Sequence, residues 1–124
     1  MSAPHETPLT DKVVLVTGSA RRIGAVIAQA FHARGARVAV HYHRSAVEAG
    51  ALVRAMNAER PASAAAFGAD LADLAALEAL PASVIGTLGA LDVLINNAST
   101  FYATPVGKIT RTAFEDLIGT NLRA

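Results

Sequence analysis

The 124-residue sequence contains no cysteine and no tryptophan, and aromatic residues make up only 5% of it. Without cysteine the chain forms no disulfide bond, no thiolate metal site and no cysteine nucleophile. Because 52% of the residues are hydrophobic and only 17% are charged, the composition excludes a disordered chain. Since alanine supplies much of the apolar material, we expect one core in which helices pack closely.

Long apolar runs and a secretory signal are also missing. No run reaches the roughly 18 residues that a membrane-spanning helix needs, and residues 1–10 lack the basic start and apolar stretch of a leader. We therefore expect a cytoplasmic protein without a membrane partner, with residues 1–11 as a flexible tail that contains Pro4 and Pro8. The net charge of +1 argues against nucleic acid as a partner, because binding it would require a broad basic field.

Carboxylates are absent from residues 12–47, although this segment is rich in cations. The cations are Lys12, Arg21, Arg22, Arg34, Arg37 and Arg44. After Val47 the acidic residues predominate. A local excess of positive charge in a nearly neutral chain favours a small anionic ligand, with an ordinary solvated surface as the alternative.

Short apolar runs alternate with segments of helical periodicity along the whole chain. The predicted strands are 12–17, 37–42, 63–67 and 91–95, and the predicted helices are 23–35, 45–57, 73–88 and one that begins near residue 110. Ser45 and Glu48 predict a capping box, and Pro81 predicts a break or bend in the third helix. The alternation predicts an α/β fold, a doubly wound, Rossmann-like parallel sheet of about four strands with its ligand at their carboxyl ends.

The first predicted strand leads into a turn that contains Gly18 and Gly24, and a helix follows. Glycine lets a pyrophosphate approach the backbone, and the amino terminus of the helix offers free N–H groups to it. Two glycines alone are a weak signal, so a plain strand-to-helix turn is the alternative. Their position directly after a buried first strand favours the phosphate site.

The end of the second predicted strand indicates which dinucleotide would bind. An NAD site usually places Asp or Glu there to accept hydrogen bonds from the ribose, but residues 41–45 read HYHRS. Arg44 and Ser45 can instead donate to a 2′-phosphate, with Arg22 within reach from the glycine turn. This pattern favours NADP(H) over NAD(H) as the cofactor.

These residues together resemble the short-chain dehydrogenase/reductase family, and within it the pteridine reductases. The matching residues are Thr17-Gly18 with Gly24, Asp70-Leu71, Asn96 to Ser99, and Asn121. Arg22 stands where the general family pattern has its middle glycine. That substitution, HYHRS at 41–45 and NNASTFY at 96–102 are features of the pteridine reductases.

The resemblance implies a role for each matching residue, beside Gly18 and Gly24 in the phosphate-binding turn. For the cofactor, the resemblance implies that Arg22 and Ile23 contact the phosphates, that His43, Arg44 and Ser45 contact the 2′-phosphate, and that Asp70 and Leu71 contact the adenine. It implies that Asn97, Ala98 and Ser99 contact the nicotinamide. Ser99 and Phe101 would contact a pterin-like substrate, and Asn121 would belong to a catalytic proton relay. Asp70 could instead cap the next helix, and Phe101 could be a core or interface residue.

Asn121 follows Phe114 by seven residues and is in register with an apolar stripe of the last helix. The stripe consists of Phe114, Leu117, Ile118 and Leu122. A polar side chain on an inward face needs a partner, which is consistent with a role in a network. A cap at the end of the helix is the alternative.

The catalytic tyrosine of the family, with its lysine four residues later, has no counterpart here. Tyr42 is followed at that distance by Ala46, and Tyr102 by Val106. We therefore expect residues 12–124 to form an NADP-binding domain that is incomplete at its carboxyl end, with an unpaired edge on the fourth strand. The four histidines form no ligand cluster, so no metal site is expected.

The resemblance implies that the complete protein is an NADPH-dependent oxidoreductase that transfers hydride to a pterin-like small molecule and assembles as a homo-oligomer. A general short-chain carbonyl or 3-oxoacyl reductase is the first alternative. A noncatalytic NADP-binding fragment is the second alternative, because the 124 residues do not contain the Tyr-x-x-x-Lys segment of the family.

Overall fold

The structure, a computed structural model, describes residues 8–99 and 104–123, without the side chain of Arg123. Strands and helices alternate along the chain. The elements are β1 Val13–Val16, α1 Arg22–Ala33, β2 Arg37–Tyr42, α2 Ala46–Glu59, β3 Ala64–Gly68, α3 Leu74–Leu88, β4 Val93–Ile95 and α4 Arg111–Ile118, which continues as a π-helical turn over Gly119–Arg123.

The four strands form one parallel sheet in the order β3-β2-β1-β4. The chain moves outward from β1 to β3 and then returns across β1, so that β4 lies at the other edge. This reversal creates a crevice at the carboxyl ends of β1 and β4, where doubly wound folds bind ligands. The predicted doubly wound parallel sheet is therefore confirmed, with β4 at an edge.

Helices cover both faces of the sheet. One face carries Val14, Val16, Val38 and Val40 and packs against α1 and α2. The opposite face, with Val13 and Leu15, packs in a second cluster with residues of α3. Because side chains alternate between the faces of a strand and both faces are covered, β1 has the continuous apolar sequence VVLV.

The predicted capping box was wrong, and of the two alternatives predicted at Pro81 the break is excluded. Ser45 precedes α2, but its side chain makes no capping hydrogen bond, because its backbone (φ −90°, ψ 52°) is not extended as a capping residue requires. α3 is not broken at Pro81 and continues to Leu88. Since Leu80 and Val84 on either side of the proline are buried, their packing against the sheet holds the helix together.

α4 turns a different side inward than its apolar stripe predicted. Phe114, Ile118 and Leu122 are 52%, 39% and 76% exposed, and none of the α4 residues is buried within the described part of the chain. The half-buried residues are Ala113, Asp116, Leu117 and Thr120, so Leu117 is the member of the stripe that lies on the inward side. The inward face of a helix depends on the neighbours that pack on it, which the period of the sequence alone does not fix.

The amino-terminal residues that the structure describes contact the rest of the fold. Residues 1–7 of the predicted flexible tail lie outside the described range. The Leu9 amide donates to the Arg34 carbonyl at 2.9 Å, and the Asp11 amide donates to the Gly35 carbonyl at 3.3 Å. Among the described residues, no helix is both long enough and apolar enough to cross a bilayer.

Candidate functional site

A cleft of about 800 Å³ lies at the carboxyl ends of the strands. Its walls come from the ends of the strands and the segments that follow them, namely residues 18, 20–24, 41–45, 70–72 and 97–99, and from Asp116 of α4 and Thr120 of the π-helical turn. Four separate connections therefore converge on one space. A cleft in this position is the usual ligand site of a doubly wound sheet.

The turn between β1 and α1 has the backbone that its glycines predicted. Gly18 has φ +62°, and a Cβ atom there would lie 2.9 Å from the Cα of Ala98. At Gly24, a Cβ atom would clash with the Gly18 carbonyl oxygen and lie 2.6 Å from the Asn97 side-chain nitrogen. The turn therefore has no room for side chains at these two positions.

The amino terminus of α1 faces the cleft, and neither its cap nor its first turn supplies an anion. The side chain of Arg21 makes no capping bond, and the first turn contains no acidic residue. The partial positive charge of the helix end is therefore not neutralised by a capping or first-turn side chain. Such a helix end fits an anionic phosphate group.

The side chain of Asn97 connects the glycine turn to the end of β4 by hydrogen bonds. Its side-chain amide donates to the carbonyls of Thr17 and Gly18, both at 3.1 Å. The Thr17 hydroxyl in turn accepts from the backbone amides of Asn97 and Ala98, both at 3.0 Å. These bonds fix the position of residues 97–99 relative to the turn, although the strands to which they belong are about 80 residues apart in sequence.

His41, near the end of β2, is the most buried side chain of the cleft wall at 2% exposure. Its Nδ1 accepts from the Gly18 amide at 2.9 Å, and its Nε2 donates to the Ala69 carbonyl at 2.8 Å. Burial lowers the pKa of His41, which the Ala69 carbonyl partly offsets, and the nearby His43 lowers it further. The ring is therefore neutral near pH 7.

The end of the cleft that is predicted to hold the adenosine of the cofactor is lined by both positively and negatively charged side chains. Arg22 and Arg44 are exposed and line the cleft. His43 Nε2 lies 3.8 Å from Asp70 Oδ2, and both side chains are 49% exposed. Asp70 does not cap α3, since its Oδ1 accepts from the Ala72 amide at 3.0 Å while Asp73 is the capping residue.

The cleft contains every residue that the sequence predicted for cofactor binding. These are Gly18, Arg22, Ile23, Gly24, His43, Arg44, Ser45, Asp70, Leu71, Asn97, Ala98 and Ser99. Phe101, predicted to contact the substrate, lies outside the described residues. Asn121 is exposed and lines a smaller cavity of about 270 Å³, which shares Leu71, Ala98 and Thr120 with the cleft.

The sequence reasoning missed seven residues of the cleft wall, namely Ala20, Arg21, His41, Tyr42, Ala72, Asp116 and Thr120. Asp116 of α4 and Thr120 of the π-helical turn that continues it are four residues apart, which is the separation of neighbours on one face of an α-helix. That spacing was the available signal, but the apolar stripe beside it predicted a different inward face. His41 is the first residue of the HYHRS segment, but the sequence analysis assigned it no role because its pattern is that of a strand residue.

A family model for the short chain dehydrogenases matches residues 12–124. The chain belongs to the short-chain dehydrogenase/reductase family. It is 42% identical over 117 residues to pteridine reductase 1 of Leishmania tarentolae, covering 81% of this chain and 40% of that protein. It is 36% identical over 114 residues to the sorbitol dehydrogenase of Cereibacter sphaeroides, covering 92% of this chain and 43% of that protein.

One solved structure that resembles this chain is that of a blue fluorescent protein from a metagenomic library, determined in complex with NADPH. The two structures match with a TM-score of 0.89 and a sequence identity of 39%. The match covers 94% of this chain and 48% of the chain of that protein. The chain therefore spans less than half of the length of each of these three proteins. Among its described residues, no group of three or more His, Cys, Asp or Glu could hold a metal ion.

Proposed function

We propose that the chain is the NADP(H)-binding part of a short-chain reductase. The observation that carries the proposal is the end of β2, where Arg44 and Ser45 line the cleft and no carboxylate occupies residues 41–45. A carboxylate there would accept hydrogen bonds from a free ribose and repel a phosphate. Arginine instead forms charge-assisted hydrogen bonds with a phosphate.

The shape of the cleft also fits a dinucleotide. Gly18 and Gly24 leave the turn open to a pyrophosphate, and the uncapped end of α1 supplies its positive potential. Leu71 gives an apolar wall where the adenine would lie, and Ser99 lies at the opposite, nicotinamide end. The cofactor, when bound, supplies the hydride, and the residues of the chain bind and orient it.

We further propose a pterin-like substrate for the complete protein. The identity to pteridine reductase 1 supports this choice, as do the sequences HYHRS at 41–45 and NNASTFY at 96–102. Phe101 would stack on the flat heterocycle beside Ser99, and Asn121 would order a water molecule in the proton relay. The tyrosine and lysine of the family chemistry would come from residues outside this sequence.

The binding proposal is tested by calorimetric titration of the chain with NADPH and with NADH. We expect NADPH to bind more tightly. Arg44→Ala should weaken NADPH binding roughly tenfold and leave NADH binding nearly unchanged, because a charge-assisted hydrogen bond is lost. Arg54→Ala, an exposed arginine of α2 outside the cleft, is the matched control. Equal affinity for the two cofactors would overturn the proposal.

A second candidate is a general carbonyl reductase, which the 36% identity to sorbitol dehydrogenase favours. Any longer gene product that contains this chain can be assayed for NADPH oxidation with biopterin, dihydropterin and a panel of ketones. Turnover of a pterin supports the first candidate. Turnover of ketones alone supports the second, and NADPH binding without any turnover supports a noncatalytic binding module.

A further inference from the structure

We propose that His41 is a positioning residue for the dinucleotide, whose ring fixes the distance between the phosphate-binding turn and the adenine wall of the cleft. The inference rests on the function proposed above and deepens it. His41 lies on the middle of three adjacent strands, with Gly18 after β1 on one side and Ala69 after β3 on the other. One side chain therefore links three of the four connections that form the cleft.

The two hydrogen bonds require a single tautomer of the ring. The Gly18 amide can only donate, so Nδ1 must carry a lone pair and no proton. The Ala69 carbonyl can only accept, so Nε2 must carry the proton. Because both nitrogens are committed and the ring is 2% exposed, the side chain cannot rotate without leaving both backbone groups unsatisfied.

The backbone around the ring strengthens this connection. The Ser19 amide donates to the His41 carbonyl at 2.9 Å, and the His41 amide donates to the Ser19 hydroxyl at 3.2 Å. On the other side, the Ala69 amide donates to the Tyr42 carbonyl at 3.0 Å. Gly18 and Ala69 are thus each held by the ring and by an adjacent backbone bond, which leaves little freedom in their separation.

The position of Ala69 explains why the adenine end depends on the ring. Asp70 and Leu71 follow it directly, and both line the cleft. The charged and titratable groups at this end include His43 and Asp70, whose Nε2 and Oδ2 atoms are 3.8 Å apart, and Arg44, which also lines the cleft. A dinucleotide that spans from the turn to Leu71 requires both walls at once, so a shift of either wall lowers its affinity.

Two substitutions separate the two contacts of the ring. His41→Asn places an amide oxygen near the position of Nδ1 and keeps an acceptor for Gly18, but it does not reach Ala69. His41→Gln places an amide nitrogen near the position of Nε2 and keeps a donor for Ala69, but it leaves Gly18 without an acceptor. The probes are NADPH and adenosine 2′,5′-bisphosphate. The bisphosphate keeps the adenine, the 2′-phosphate and one phosphate of the pyrophosphate, but it lacks the other phosphate of the pyrophosphate and the nicotinamide half.

We expect His41→Asn to lower the affinity for both probes by the same factor, roughly threefold to tenfold, because both contain the adenine that lies against the altered wall. His41→Gln should weaken NADPH more than the bisphosphate, because the turn near the second phosphate is altered. His32→Gln is the matched control, since His32 is an equally buried histidine that bonds Ser63 far from the cleft. That control should lose stability and keep the NADPH affinity of the unsubstituted chain.

The ring itself gives a readout that does not depend on the variants. Nitrogen-15 spectra of the unsubstituted chain should show His41 as the Nε2–H tautomer at neutral pH. If the opposite tautomer were observed, or if the His41 variants bound NADPH as tightly as the unsubstituted chain, this inference would be overturned. The proposed function would then still stand. If the unsubstituted chain did not bind NADPH, the proposed function and this inference would both be overturned.

Discussion

At the scale of single residues, Arg22 combines a strained backbone with a place in the candidate site. Its φ of +55° lies in the left-handed region, which costs a residue with a side chain about 1 kcal/mol or more. The general family pattern has glycine there, and glycine adopts this conformation without strain. A side chain retained at such a position suggests that its guanidinium serves binding and not folding.

We expect Arg22→Gly to leave the free energy of unfolding unchanged or to raise it by up to about 1 kcal/mol. The same substitution should weaken NADPH binding about tenfold, because a charged contact with the cofactor is lost. Urea unfolding and calorimetric titration measure the two effects.

Ala62 is the matched control, since its φ of +57° is equally strained and it does not line the cleft. Ala62→Gly should change stability in the same direction without changing NADPH affinity. If Arg22→Gly bound NADPH as tightly as the unsubstituted chain, the binding role of Arg22 would be wrong.

The residues of the glycine turn could be predicted because their requirement is local. Gly18 follows an apolar strand and has φ +62°, and a Cβ atom at Gly24 would clash with the Gly18 carbonyl oxygen, so these constraints arise within the turn. The contacts with Asn97 and Ala98 add to them from the segment that follows β4. His41 and Asp116 could not be predicted as cleft residues, since their places depend on three strands meeting and on which side of α4 packs inward. Local patterns reveal local constraints, and long-range packing supplies the others.

At the scale of elements, the beginning of α3 shows what a capping residue contributes. Asp73 Oδ1 accepts from the Ala75 amide at 3.0 Å and from the Ala76 amide at 3.4 Å. We expect Asp73→Ala to lower the free energy of unfolding by about 1 kcal/mol, because two amides of the first turn lose their acceptor. Chemical denaturation followed by circular dichroism measures the change.

Ser45→Ala provides the comparison for this cap. Ser45 occupies the same position before α2, but its hydroxyl makes no capping bond there. Its substitution should alter the free energy of unfolding by less than about 0.5 kcal/mol. Equal losses in the two variants would contradict the assignment of capping to Asp73 alone.

The same contrast explains how far the elements could be predicted. β2 covers the predicted residues 37–42 because two covered faces leave an apolar run between polar turns. The predicted capping box at Ser45 was wrong because a side chain of the right type is insufficient without an extended backbone. Of the predicted inward stripe of α4, Leu117 is half-buried but Phe114, Ile118 and Leu122 are exposed, because the neighbours that pack on a helix decide its inward face and its period alone does not.

At the scale of the whole molecule, two buried histidines couple folding to pH. Burial lowers the pKa of His32, Arg60 nearby lowers it further, and Glu59 partly opposes them. Burial also lowers the pKa of His41. In the unfolded chain both rings return to an ordinary pKa of about 6.5, so the unfolded state binds more protons below that pH.

The free energy of unfolding should therefore be highest above about pH 6.5 and should decline as the pH falls toward the lowered values of the folded state. His41 should contribute more of the decline than His32. Protonation of His41 at Nδ1 places an N–H group against the Gly18 amide and removes a hydrogen bond. His32 Nε2 donates to the Ser63 hydroxyl, since that hydroxyl donates to the Met56 carbonyl, so protonation of His32 keeps its bond.

Urea unfolding across this pH range, with His41→Gln and His32→Gln beside the unsubstituted chain, separates the two contributions. We expect the loss of stability toward acid to be smallest in His41→Gln, because glutamine does not titrate and the largest protonation cost is gone. An acid dependence that is the same in all three proteins would place its origin in the carboxylates. In that case the neutral histidine between the turn and the adenine wall would have no part in the acid sensitivity of the fold.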